Sequence, residues 1–191
     1  MTIIDTHIHL EGRSSCSVLP AQRLYGNLSP RLDGICITDH WVLKEYKKFS
    51  LTEFKVFFGV ELRSTEGDIL AYGLDMLPSQ DLTTKQMINF IHMHNGVAVA
   101  AHPFSNRHLA FHDAVFNYNF DAIEINGAIG KKSNELAKQA AISMNLPMTG
   151  GSDAHSVEQL NSIATHFDTK IESVRDIVNA IRAKKCRPIN I

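Results

Sequence analysis

The sequence predicts an α/β fold, a parallel sheet with helices packed outside it, and three observations predict that class. Short β-rich runs alternate with helical stretches along the whole chain, the pattern that produces parallel sheets covered by helices. Most of those runs end in a histidine or a carboxylate: His7 and His9, His40, Glu61, His102, Glu124, Asp153 and His155. In closed α/β barrels, functional residues gather at this C-terminal edge of the strands. Finally, 191 residues with 44% hydrophobic content are enough for one domain with a real core and too few for two comfortable ones.

In chain order, Ile3-Ile4 opens a strand that runs into Asp5-Thr6-His7-Ile8-His9. Glu11 to Ser17 reads as a loop, and residues 20–32 hold a short helix with Pro20 in its first turn and Pro30 breaking it. Ile35-Cys36-Ile37 is a strand ending in Thr38-Asp39-His40, and residues 41–51 read as a helix. A third β run covers Lys55 to Val60 and ends in Glu61; a fourth, Ile69 to Leu74, pairs nearby. Residues 83–95 form an amphipathic helix opened by Thr83 or Thr84 and stopped at Asn95-Gly96. Val97 to Ala101 is a buried-type strand ending in His102-Pro103, residues 108–118 are helical, and Asp121-Ala122-Ile123 leads a strand into Glu124. Lys131 to Met144 is a helix with Leu136, Ala137, Ala140, Ala141 and Met144 on one stripe. A short strand, Leu146 to Thr149, precedes Gly150-Gly151-Ser152-Asp153-Ala154-His155; a strand at 163–167 and a helix at 172–184 complete the chain.

Composition narrows the chemistry. A net charge of −1 argues against a broad basic surface for long nucleic acid, but not against a local phosphate pocket. Three cysteines without a Cys-x-x-Cys pair read as reduced thiols. No basic region followed by a long apolar stretch opens the chain, and no run reaches bilayer-spanning length, so the expectation is a cytoplasmic protein.

A strand alternates its side chains, so His7 and His9 project to one face, about 7 Å apart along the strand. Two such imidazoles can grip one divalent ion. Taken singly, each candidate has an ordinary explanation: His40 and His102 as capped strand ends, Glu61 as a surface charge, Asp153 as an N-cap. Together at one topological edge, they are the imidazole and carboxylate ligands expected for zinc, manganese or iron(II). They are more than one ion needs, which points to two or three ions sharing a bridging carboxylate. His92 and His94 fall in the last turn of a helix, where they suit the macrodipole. His108, beside Arg107, stays open.

The set Asp5-Thr6-His7-Ile8-His9, Ile37-Thr38-Asp39-His40, Gly59-Val60-Glu61, Ala101-His102-Pro103, Ile123-Glu124-Ile125-Asn126 and Gly151-Ser152-Asp153-Ala154-His155 resembles the PHP (polymerase and histidinol phosphatase) superfamily, motif by motif and in order. The segment Thr165 to Arg187 resembles the usual family ending. The resemblance implies a distorted (β/α)7 barrel and a di- or trinuclear centre for phosphoester hydrolysis. It implies His7, His9, Glu61 and Asp153 on a first metal, with Glu61 bridging to a second that His102 also holds. It implies His40, Glu124 and His155 on a third. One departure stands out. Many members place an Asp or His in the loop after the second histidine as a ligand of the second metal, and here that loop reads Ser14-Ser15-Cys16-Ser17.

The reading that follows is hydrolysis of a small phosphorylated substrate by metal-activated water. Asp39 and His155 are the candidates to protonate the leaving group, and Arg107 and Arg13, with Arg63 as a third, are the candidates to meet the phosphate. Two other classes compete: an amidohydrolase-like enzyme cleaving C–N or C–O bonds, and a catalytically impaired metal-binding domain. The Asp-x-His pair at Asp153 and His155, and the lack of a lysine placed as a carboxylated bridge, favour the phosphoesterase.

Overall fold

The computed structural model describes residues 1–43, 54–107 and 109–191. The helix expected over 41–51 falls, beyond residue 43, outside the described residues, as does His108. Among the described residues there are ten strands: β1 (Thr2–Ile8), β2 (Gly34–Ile37), β3 (Lys55–Phe58), β4 (Val60–Arg63), β5 (Asp68–Tyr72), β6 (Val97–Ala100), β7 (Ala122–Asn126), β8 (Met148–Gly151), β9 (Ile163–Phe167) and β10 (Cys186–Asn190). Three α-helices accompany them: α1 (Thr84–Met93), α2 (Lys131–Ser143) and α3 (Val174–Arg182). The helices expected near 20–32 and 108–118 are short 3-10 turns, Ala21–Leu24 and His112–Asn117.

The strands form two five-stranded sheets, in the orders β10-β9-β1-β2-β3 and β4-β5-β6-β7-β8. The expected parallel sheet is therefore corrected to a mixed one. β1, β2 and β3 run parallel, as do β6, β7 and β8, whereas β9 and β10 are antiparallel additions and β4-β5-β6 form an antiparallel meander. No ladder among the described residues closes the sheets into one barrel.

Two seams nevertheless tie the sheets together. The single run expected from Lys55 to Val60 breaks at Gly59, so that β3 ends one sheet and β4 begins the other. A side chain at Gly59 would come within 2.8 Å of the Tyr72 ring and 2.9 Å of the Ala71 carbonyl, so only glycine lets the chain cross there. Across this seam Glu61 N donates to Thr38 O at 3.1 Å, and His40 bridges to Glu61. At the second seam Asp153 N donates to His7 O at 2.8 Å and His9 N to Ala154 O at 3.0 Å. A third tie crosses the interior, where the buried Tyr72 hydroxyl donates to Thr6 O at 2.9 Å.

Local sequence explains the element ends. Thr83 and Gln86 form a reciprocal capping box at the start of α1, and Ser173 and Asp176 do the same for α3. The buried faces of α1 (Met87, Ile88, Ile91) and α2 (Ala137, Ala140, Ala141) join one hydrophobic cluster with Val60, Ala98 and Ile123. The α3 face, Ile177, Val178 and Ile181, packs with Tyr72, Val97 and Phe167 in another. Strand β8 sits two residues later than expected, taking in Gly150 and Gly151. The chain also continues past α3 into β10, which contains Pro188; an edge strand tolerates a residue without an N–H. Among the described residues no helix is long and apolar enough to cross a membrane. All three cysteines are free, Cys36 and Cys186 buried and Cys16 exposed.

The interior tie yields a prediction. Tyr72→Phe leaves the buried Thr6 carbonyl without its donor, and should lower unfolding stability by about 1–3 kcal/mol with little change in fold, measured by urea denaturation.

Candidate metal centre

The seams and strand ends deliver eight side chains to one small volume. His7 is the penultimate residue of β1, and His9 follows its end; the two imidazoles meet through their Nε2 atoms at 2.9 Å. Glu61 lies second in β4, immediately past the seam, and is 1% exposed. Its Oε2 stands 3.4 Å from His7 Nε2, 3.1 Å from His9 Nε2 and 3.2 Å from His40 Nδ1. Its Oε1 stands 3.2 Å from His102 Nε2. Asp153 Oδ1 lies 3.5 Å from His7 Nε2, 3.6 Å from His9 Nε2 and 3.4 Å from His155 Nδ1.

Three groups emerge, each offering ligand atoms within 4.8 Å of one another: His7, His9 and Asp153; Glu61, Asp68 and His102; and His9, His40 and His155. Ligands 2.0–2.1 Å from a tetrahedral ion are about 3.3 Å apart. The separations around His7, His9, Glu61 and Asp153 bracket that figure. The donor chemistry also fits. His7 Nδ1 faces Glu124 Oε1 at 2.7 Å, and a hydrogen bond from the ring to that carboxylate turns Nε2 toward His9, Glu61 and Asp153. Nitrogen lone pairs and carboxylate oxygens at such distances repel unless a proton or a cation lies among them.

Backbone geometry is unusual at the same place. Trp41, His102 and Asp153 have positive φ angles of 56°, 30° and 54°, a region that costs energy for non-glycine residues and is found where function fixes the chain. Gly151 is required by close approach: a Cβ there would meet His7 Cβ at 2.4 Å and Glu124 Oε1 at 2.9 Å.

Electrostatics follow from burial against charge. Burial opposes charging His7, but the Glu124, Asp153 and Glu61 carboxylates outweigh it and hold its imidazole well above the ordinary range. His102 is likewise raised to about 9: burial resists, and the hydrogen bond and charge of Glu61 prevail. Glu61 is held well below its usual value, its burial outweighed by His7 and the hydrogen bonds of His102, His7 and His9. Burial pushes His40 down to about 4 despite Glu61, and lowers His155, where His9 adds to the effect. Behind β1, burial raises Asp5 to about 7 while its Oδ1 accepts from Ser152 N at 2.9 Å and His7 N at 3.3 Å.

Three sequence expectations change here, and one residue joins the set. Glu124 does not join His40 and His155. Its Oε1 faces His7, and its Oε2 accepts from His102 N at 2.9 Å and Asn126 Nδ2 at 3.0 Å, so it braces two imidazole-bearing residues from behind. Asp39 is fully buried with both oxygens engaged, Oδ1 by Leu10 N and Ser14 Oγ at 2.8 Å each and Oδ2 by Arg13 Nε at 2.5 Å, so it is not placed to protonate a leaving group. Arg13 is committed to that ion pair rather than to the cleft. Asp68 is absent from the sequence-derived set, yet it is 1% exposed and its Oδ2 lies 3.9 Å from His102 Nε2. Burial and the Glu61 charge raise its carboxyl.

The centre opens on a cleft of about 500 Å³ lined by His40, Glu61, Asp68, His102, Asp153 and His155, with Arg107, Arg63, Cys16 and Trp41 on its walls. Of the arginines, Arg63 pairs with Asp68 at 3.2 Å.

Fold and site together define a mixed α/β protein with a clustered imidazole–carboxylate centre suited to divalent metal ions. A family model described as PHP-associated matches residues 131–186. The uncharacterised protein MJ1587 of Methanocaldococcus jannaschii is 31% identical over 125 residues, 57% of this chain and 72% of that protein. Among solved structures, PsfC from Pseudomonas syringae PB-5123 matches with a TM-score of 0.78 at 17% identity, over 100% of this chain and 91% of its own. The lesion-specific endonuclease PfuEndoQ from Pyrococcus furiosus matches at TM-score 0.70 and 16% identity, over 95% of this chain and 56% of its own. A Bifidobacterium adolescentis protein assigned as a metal-dependent phosphoesterase matches at TM-score 0.64 and 16% identity, over 95% and 96%. The chain shares a family with MJ1587, and its residues 131–186 carry the PHP-associated segment.

The close approach at Gly151 sets a test. Gly151→Ala should displace His7, lower stability by about 1–3 kcal/mol and weaken zinc binding, read by thermal unfolding and zinc titration.

Proposed function

We propose that the chain is a metal-dependent hydrolase that cleaves a phosphoester of a small metabolite or nucleotide. The observation that carries this reading is one carboxylate, Glu61, spread over four imidazoles at the floor of an open cleft. The two sheets, tied at both seams, support reading the frame as a distorted barrel with its site at the strand ends.

His7, His9, Glu61 and Asp153 would hold a first ion, Glu61, Asp68 and His102 a second, and His40 and His155 with the shared His9 edge a third. Zinc, manganese and iron all suit these ligands. Bound there, such ions lower the pKa of water and neutralise charge on phosphoryl oxygens. The protein's own contribution is placement. Glu124 and Asn126 hold the imidazoles and Asp153 from below, since Asn126 Nδ2 also donates to Asp153 Oδ2 at 3.2 Å. Burial keeps His155 neutral near pH 7, which favours ligation over a general-acid role. Arg107 on the cleft wall offers the planar fork that suits phosphate oxygens. The PfuEndoQ likeness raises a nuclease activity, but a net charge of −1 gives no broad phosphate-tracking surface, so a small substrate is the better reading.

The test is a screen of phosphomonoesters and phosphodiesters with zinc, manganese or iron(II), paired with metal analysis. Activity should appear with metal and vanish on chelation, and His7→Ala should lose both metal and turnover. Asp68→Asn should reduce metal stoichiometry and lower kcat at least tenfold, while Arg107→Ala should raise KM with a smaller effect on kcat. A protein that binds metal fully after His7→Ala and hydrolyses no phosphoester would overturn the proposal.

A further inference from the structure

The loop after β1 carries serine where the resemblance implies a metal ligand, and that serine sits inside a defined hydrogen-bond network. Ser14 is 1% exposed and its Oγ has three partners: Asp39 Oδ1 at 2.8 Å, His9 Nδ1 at 3.0 Å and His40 N at 3.1 Å. A hydroxyl has one proton to donate and two lone pairs with which to accept. His40 N is a donor, so it takes one lone pair. Asp39 is ion-paired with Arg13 and has no proton to give, so it must receive the Ser14 proton. If Ser14 instead donated to His9, its oxygen and Asp39 Oδ1 would face each other at 2.8 Å with no proton between them. The remaining lone pair therefore accepts from His9, which must carry its proton on Nδ1.

We propose that Ser14 is a positioning residue that fixes the tautomer of His9, with Asp39 as the anchor that dictates the direction of the chain Asp39–Ser14–His9. The consequence is a lone pair on His9 Nε2, the atom that faces His7 Nε2, Glu61 Oε2 and Asp153 Oδ1. The same Oγ holds the backbone of His40, so one hydroxyl aligns residues of two ligand groups. Around it the loop is tightly folded: Ser14 N donates to Leu10 O at 2.9 Å, and Ser17 Oγ to His9 O at 2.9 Å. His7 is set in the same sense by a carboxylate, Glu124, and His9 by a carboxylate acting through a hydroxyl. Outer partners of this kind orient a ligating imidazole and raise its basicity.

This inference rests on the metal-centre reading, and the experiment separates the two. The full chain, with 15N-labelled histidine, is studied by NMR free of metal and during zinc titration. His9 should show a protonated Nδ1 and an unprotonated Nε2 before zinc is added. Ser14→Ala should lose that tautomer preference and bind zinc about 10–100-fold more weakly, while Ser14→Thr, which keeps the hydroxyl, should restore both. A wild-type His9 protonated on Nε2, or Ser14→Ala binding zinc as tightly as wild type, overturns the inference. Should Ser14→Ala fail to fold, the wild-type spectrum and the Ser14→Thr titration still decide it. A wild-type chain that takes up no zinc overturns the metal reading instead, and the metal-free His9 tautomer still decides the role of Ser14.

Discussion

Glu61 is the group on which the rest of the site depends. Its two oxygens stand between His7, His9, His40 and His102, and none of those four contacts exists without the seam that precedes it. The chain leaves one sheet at Gly59 and enters the other at Val60, so Glu61 arrives at the boundary of both. From there one side chain reaches imidazoles of β1 and β2 on one side and of the β6 end on the other. The second seam, at Asp153 and Ala154, closes the opposite flank. The imidazole–carboxylate cluster and the two-sheet frame are thus one construction, because the atoms that join the sheets belong to the residues that bear the ligands.

What the sequence made legible was whatever followed the simple rule that unusual residues end parallel strands. His7, His9, His40, Glu61, His102, Asp153 and His155 obey it, and the structure brings them together. Asp68 breaks the rule. It begins β5, which runs antiparallel to β4, and its register partner is Arg63 at the end of β4. The first residue of an antiparallel strand lies at the edge where its neighbour finishes. An acid in Gly67-Asp68, opening the apolar run Ile69-Leu70-Ala71, was a readable signal for anyone who allowed the sheet to be mixed. The same bias toward parallel strands concealed β10 and the splitting of the run at Gly59.

Depth and facing account for the other departures. Glu124 lies in the middle of β7, opposite Thr149, one layer below the strand ends, so its carboxylate meets the back of the His7 ring rather than the mouth of the cleft. Asp39 and His40 are adjacent in an extended stretch and point opposite ways. His40 faces Glu61, and Asp39 turns to the loop at Leu10, Arg13 and Ser14. A motif written as a string of letters carries neither depth nor facing, and both decide whether a polar side chain is a ligand or a support.

The supports are as demanding as the ligands. Burying an unpaired carboxylate or imidazolium costs far more than a domain's net stability can absorb several times over. This centre buries Asp5, Glu61, Asp68, Glu124 and Asp153 beside His7, His9 and His102. The arrangement is tolerable because many of the atoms turned away from the cleft have a defined donor or acceptor: Asn126 for Glu124 and Asp153, Ser152 for Asp5 Oδ1, Ser14 for His9, Arg63 for Asp68; Asp5 Oδ2 is buried without a hydrogen-bond partner among the described residues. The atoms turned inward are the ones whose mutual repulsion a cation relieves. Under the proposed metal reading, folding and ion binding are coupled, because a metal that neutralised this cluster would stabilise the two seams through the same side chains that held it.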